Sequence, residues 1–157
     1  MARSGEGRGV LVIGVGNDLR GDDGVGRLVA QRVAALGMPG VRVVETNGEA
    51  ISLIDLWSGE DRIVLVDAAG TGATAGTIVR FDASRDPLPS RAIGRTSHSF
   101  GVAEAIELSR SLGTLPARVI VFGIEGQTFE TGAELSEPVR RSAEDVVRRI
   151  KEEIRSA

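Results

Sequence analysis

Apolar and polar positions along the chain fall into two alternating rhythms. From Gly9 the sequence runs Gly-Val-Leu-Val-Ile-Gly-Val-Gly16, a short unbroken apolar run of the kind a strand buried on both faces requires. This predicts a central strand. The loop Asn17 to Asp23 follows, and then Val25, Leu28, Val29, Val33 and Leu36 recur at helical spacing until Gly37 and Pro39 stop the helix. Val41 to Glu45 reads as a second strand, Ile51 to Trp57 as a short helix, and Arg62 to Asp67 as a third strand. Strand and helix alternate, so a parallel sheet covered on both sides is expected.

Thr77 to Asp82 predicts a further strand, antiparallel at a sheet edge, because the connection Ala68 to Gly76 is too short for a helical crossover. Ala83 to Thr96 carries two prolines and three arginines without periodicity and reads as an exposed loop. Its length suggests function rather than linkage. A helix from Ser99 to Leu112, a strand from Arg118 to Ile124 and a last helix from Pro138 to Arg155 complete the set. In the last helix Val139, Ala143, Val146, Val147, Ile150 and Ile154 form one apolar stripe, and Asp145 with Arg149 makes an i,i+4 pair on the wet face. No repeat, low-complexity tract or linker interrupts the pattern. The expectation is one α/β domain over residues 1–157 with a flexible lead over 1–9. It has three layers, α/β/α, around a twisted, mostly parallel sheet of about five strands.

Composition narrows the function classes. At 157 residues the chain is long enough for one core, burying roughly two-thirds of the surface it exposes when unfolded. Its 19 basic and 22 acidic residues are interspersed and give a net charge of -3. No basic field exists to bind a phosphate backbone, so nucleic acid is not an expected partner. Cysteine is absent, which removes disulfides, thiolate catalysis and thiolate metal sites together. Any metal must be held by oxygen and imidazole. The first nine residues show no apolar signal region, and no stretch approaches the ~18 apolar residues of a membrane span. A cytoplasmic protein is expected.

In open parallel sheets ligands bind outside the carboxyl ends of the strands. That rule places Asp22 and Asp23 at the mouth of the first helix and Asp67 at the end of the third strand. His98, the only histidine, stands in a Thr96-Ser97-His98-Ser99 helix start with a serine cap. There the helix dipole disfavours imidazolium and leaves a neutral ring able to bind metal. Asp23, Asp67 and His98 together would offer three ligands with open positions, a set suited to nickel, zinc or a similar divalent ion. Taken singly, each has a plainer explanation, since acidic residues at helix starts are stabilising without any function. Their convergence on one sheet edge favours a site.

Other chemistries fit less well. Gly14-Val15-Gly16 after a strand, with Glu45 as a ribose acceptor, invites a dinucleotide. However, Leu19 stands at the third glycine position, and two carboxylates in the loop would repel a pyrophosphate. No Gly-Lys-Ser/Thr triplet supplies a P-loop. Ser97 or Ser99 beside His98, with Asp67 as orienter, lacks a Gly-x-Ser-x-Gly elbow. An aspartic dyad needs near-symmetric settings that Asp23 and Asp67 do not share.

The motifs resemble those of the hydrogenase maturation endopeptidases. Gly14-Val-Gly-Asn-Asp-Leu-Arg-Gly-Asp-Asp-Gly-Val-Gly26 is similar to the family's opening motif, Val64-Leu-Val-Asp-Ala68 to its second acidic motif, and Ser97-His-Ser-Phe-Gly101 to its histidine motif. Val121-Phe-Gly-Ile-Glu125 and Gly132-Ala-Glu-Leu-Ser136 are similar to its C-terminal pattern. The resemblance implies a twisted, mostly parallel sheet between helical layers. It also implies one endoproteolytic cut that removes the C-terminal extension of a nickel-iron hydrogenase large-subunit precursor after nickel insertion. By position, the family's metal-contacting residues fall on Asp23, Asp67 and His98. The metal is then nickel carried by the precursor, or another divalent ion in the isolated protein. After the second strand, Glu45-Thr-Asn-Gly-Glu-Ala50 departs from the Gly-Gly-Thr type loop of many members, so Asn47, Gly48 and Glu49 bear on which hydrogenase is cognate. The competing expectations are a non-catalytic nickel sensor or precursor escort using the same three ligands, and a nucleotide-binding domain using Gly14 and Gly16. No helix carries a clear homodimer stripe, and a monomer is expected.

Overall fold

The computed structural model describes residues 9–89 and 99–156, of which Ser99 and Phe100 by backbone alone. Five strands form one sheet: β1 (Val10–Val15), β2 (Val41–Thr46), β3 (Arg62–Ala69), β4 (Ile78–Asp82) and β5 (Arg118–Glu125). Their order is β2-β1-β3-β5-β4. The pairs β1–β2, β1–β3 and β3–β5 are parallel, and β4 joins β5 antiparallel at one edge. Four helices cover the sheet: α1 (Val25–Ala35), α2 (Ala50–Trp57), α3 (Ser99–Leu112) and α4 (Glu137–Arg155). The α/β class, the mostly parallel sheet and the antiparallel edge strand are as the sequence predicts.

Side-chain alternation along each strand divides the core in two. Leu11, Ile13 and Val15 of β1, Ile63 and Leu65 of β3, and Val119 and Val121 of β5 pack with α2 and α3. Val10, Val12, Val64, Val66, Ala68, Ile120, Phe122 and Ile124 point the other way, onto α1 and α4. Strands that must be apolar on both faces are continuous apolar runs, which is why β1, β3 and β5 are so easily seen in the sequence. The α4 stripe is buried as predicted at Val139, Ala143, Val146 and Ile150, with Val147 and Ile154 half-buried. Trp57, fully buried, donates its indole N–H to Ser109 Oγ at 2.9 Å and so ties α2 to α3.

The predicted loop 17–23 ends in a 3₁₀ turn, Gly21–Gly24, that leads directly into α1. Two local expectations are corrected. In the segment predicted as an exposed loop, Ala83 and Leu88 are buried, since the Arg110 guanidinium donates to Ala83 O at 2.7 Å and Asp86 O at 3.3 Å and holds the chain over α3. Asp145 pairs with Arg148, one turn position short of Arg149. Residues 1–8 of the expected lead over 1–9, the remainder of that loop (90–96) and the Ser97–His98 helix start lie outside the described residues. Among the described residues no helix is long and apolar enough to cross a membrane.

Candidate active site

The carboxyl ends of β1, β2, β3 and β5 lie at one edge of the sheet, and four connections meet there: 16–24, 47–49, 70–77 and 126–136. The first crosses the end of β1. Gly16 N–H donates to Thr46 O at 3.0 Å, and Asn17 N–H donates to Asp23 O at 3.2 Å. The 3₁₀ turn that follows delivers Asp23 to the start of α1. That helix sits unusually close to the sheet, since a Cβ at Gly26 would stand 2.4 Å from both Val15 O and Val66 O. Only glycine permits this approach. Val66 immediately precedes Asp67, so the helix mouth bearing Asp23 is pressed against the strand end bearing Asp67.

Both carboxylates are buried: Asp23 is 2% exposed and Asp67 0%. Asp67 Oδ1 accepts the Ala68 N–H at 2.8 Å. Strand alternation places Asp67 in the row of Ile63 and Leu65, on the α2/α3 side. The start of α3 is at this edge too, because a Cβ at Gly101 would meet Gly48 O at 2.2 Å. The 47–49 connection therefore lies against the first turn of α3. His98, which immediately precedes α3 in sequence, lies outside the described residues. Among the described residues no group of three His, Asp or Glu side chains is placed to hold a metal ion.

Asp22 behaves quite differently from its neighbour. It is fully buried, and its Oδ2 accepts Gln127 N–H at 2.7 Å, Thr128 N–H at 3.1 Å and Ser136 Oγ at 2.9 Å. Its Oδ1 accepts Ser136 N–H at 2.7 Å, and its own N–H donates to Thr128 O at 2.8 Å. A carboxylate so surrounded by donors is a structural anchor. It fastens the 3₁₀ turn to the 126–136 connection. A cleft of about 500 Å³ opens beside the same turn, lined by Asp18, Gly21, Leu28, Ala133, Leu135 and Arg140.

The opposite edge carries a basic cluster. Glu153 accepts Arg118 at 3.2 Å and also Arg80, and its carbonyl accepts Arg62 at 2.9 Å. Burial alone would raise the Glu153 carboxyl, but the hydrogen bonds and charges of Arg80 and Arg118 outweigh it and hold the group below its ordinary value. This network pins the end of α4 to the starts of β3 and β5, on the far side of the sheet from the carboxyl edge.

Comparison with known proteins decides the class. The sequence pattern of the hydrogenase maturation proteases (HycI) matches residues 27–153, most of the chain, including Asp67 and His98 and beginning after Asp23. The chain belongs to the hydrogenase maturation protease family. It is accordingly an endopeptidase of hydrogenase maturation. A putative hydrogenase maturation protease of Methanocaldococcus jannaschii is 28% identical over 153 residues, covering 93% of this chain and 96% of that one. The hydrogenase maturating endopeptidase HybD of E. coli superimposes with a TM-score of 0.79 at 20% identity, covering 94% of this chain and 93% of that one. The [NiFe] hydrogenase maturation protease HybD of Thermococcus kodakarensis gives 0.73 at 25% identity, covering 93% and 99%.

Within this maturation protease, Asp23 and Asp67 both lie at the carboxyl edge of the sheet, at the start of α1 and the end of β3. One residue was passed over: Glu125, 4% exposed, at the end of β5. The signal for it was an acidic residue closing a run of buried apolar residues, opposite a Gly-Thr-Gly turn at 70–72.

Proposed function

We propose that this protease removes the C-terminal extension of a nickel-iron hydrogenase large-subunit precursor after nickel insertion, and that Asp23, Asp67 and His98 engage the nickel the precursor carries. The observation that carries the proposal is that two buried aspartates, Asp23 and Asp67, stand at the same carboxyl edge of the sheet, where α1 closely approaches β1 and β3 at Gly26. A divalent ion arriving on the substrate would find hard oxygen ligands in the two carboxylates, and a neutral imidazole from His98 would complete a three-ligand set with room for substrate atoms.

Such a set couples recognition to chemistry. A precursor without nickel offers no cation to the two aspartates and is not held with its scissile bond at the edge. A loaded precursor is held, and its metal can polarise the scissile carbonyl or lower the pKa of an attacking water. The enzyme thereby cuts only finished substrate. The proposal is tested by replacing Asp23, Asp67 and His98 individually with Ala and following conversion of nickel-loaded precursor. Each variant is expected to process at least about 100-fold more slowly, the scale on which a group positioning reacting atoms contributes. Processing of loaded precursor at the normal rate by Asp23→Ala or His98→Ala would overturn the assignment.

A further inference from the structure

Glu125 lies in the same neighbourhood as Asp67, yet its carboxylate is committed elsewhere. In the β3–β5 register Asp67 stands opposite Gly123 and Ala69 opposite Glu125, so Glu125 is two residues further along the same face. Its Oε1 accepts Thr71 N–H at 2.8 Å and Gly72 N–H at 2.9 Å, and its Oε2 accepts Thr71 Oγ–H at 2.8 Å and Thr71 N–H at 3.1 Å. The backbone around it is equally engaged. Glu125 N–H donates to Thr77 O at 2.8 Å, Glu125 O accepts Gly76 N–H at 2.8 Å, and Gly126 N–H donates to Ala69 O at 2.9 Å. One residue thus gathers both ends of the 70–77 connection, the segment that continues β3 directly beyond Asp67.

We propose that Glu125 is a positioning residue for the proteolytic site: by clasping Thr71 and Gly72 it fixes the exit of β3 and, through it, the Asp67 carboxylate. It is not itself a ligand, because both its oxygens already accept the backbone and hydroxyl donors of Thr71 and Gly72, bonds that would break if it turned toward a metal. Gly123, opposite Asp67, has no side chain of its own, and a Cβ there would stand 2.9 Å from Val79 Cγ2. The assignment rests on Asp67 belonging to the proposed site.

The test uses Glu125→Gln, which keeps the volume but turns an amide NH₂ toward donors, and Thr71→Val, which replaces the hydroxyl of an exposed residue with a methyl group. Two readouts are taken on protein shown to be folded by the fluorescence of buried Trp57. The first is the amide proton of Ala68, which is bonded to Asp67 Oδ1 and reports that carboxylate without any substrate. The second is the split of kcat and KM on nickel-loaded precursor. In Glu125→Gln the Ala68 resonance is expected to move and its hydrogen exchange to quicken. The kcat per folded molecule should fall about 10- to 100-fold with KM within about threefold, as for a small displacement of a reacting group. Thr71→Val should fall in the same direction by about 3- to 10-fold. An unmoved Ala68 amide, or wild-type kcat in both variants while the wild type cuts precursor, would overturn the role of Glu125 and make the clasp purely structural. Failure of the wild type itself to cut loaded precursor would instead refute the proposed function, and the Ala68 resonance would still decide the positioning claim. Should Glu125→Gln not fold, Thr71→Val alone decides by the same two readouts.

Discussion

Replacing Asp22 with Ala should be among the most damaging single changes in this chain, although Asp23 beside it is the residue assigned to the site. The carboxylate of Asp22 accepts three backbone N–H groups, from Gln127, Thr128 and Ser136, and the Ser136 hydroxyl. Alanine removes every acceptor at once and leaves a fully buried vacancy in the 3₁₀ turn. A hydrogen bond to a charged group contributes about 1.5–3 kcal/mol. The Gln127 side of this network is reached by water, which can satisfy part of the loss. The expected cost is therefore about 3 kcal/mol, rather than the roughly 6 kcal/mol or more that full burial of all four donors would give. For a chain of this size that corresponds to a fall in Tm of about 6–12 °C. Thermal unfolding followed by Trp57, the only tryptophan, measures it. Hydrogen exchange locates it, with the amides of Gln127, Thr128 and Ser136 losing protection first. A variant melting within about 1 °C of wild type, with those three amides exchanging at unchanged rates, would refute the anchoring role.

Two further perturbations probe the frame around the site. Gly26→Ala puts a Cβ 2.4 Å from two strand carbonyls, an overpacking of about 1–3 kcal/mol that exceeds the helix-propensity gain of about 1 kcal/mol. Tm should fall and processing should slow by about 100-fold as the helix mouth lifts, whereas a rise in Tm would deny the close approach. Glu153→Gln tests the far edge by pH. A carboxyl held below its ordinary value of 4.5 contributes stability that is present above that value and is lost as pH falls through the lower folded one. Wild type should exceed Glu153→Gln at pH 7 by about 1 kcal/mol or less, since Arg80 and Arg118 are substantially in water. The difference should shrink as pH falls below 4.5, and a difference that stayed constant as pH fell from 7 through that range would remove the charge-based account.

The framework of the fold was legible because β1, β3 and β5 are buried on both faces and so cannot hide among polar residues. α4 was legible because one face meets the core and the other meets water. The antiparallel placement of β4 followed from a connection too short to cross over. What could not be read depends on contacts distant in sequence. Asp22 and Asp23 are identical in type and adjacent, and only the arrival of residues 127–136 makes the first an anchor. The burial of Ala83 and Leu88 depends on Arg110 reaching back across α3. Of the strands that outran their predicted ends, β3 (to Ala69) and β5 (to Glu125) are extended by pairing with each other. Glu125 itself was visible as part of a motif, but its partners Thr71 and Gly72 lie more than fifty positions away.

The most direct measurement is to incubate the purified protein with nickel-loaded and nickel-free large-subunit precursor and follow the mass of the C-terminus. Loss of the extension from the loaded form alone is the predicted result. Cleavage of both forms at equal rates would contradict the metal gate, and binding of the loaded form without cleavage would contradict the proteolytic role on this substrate.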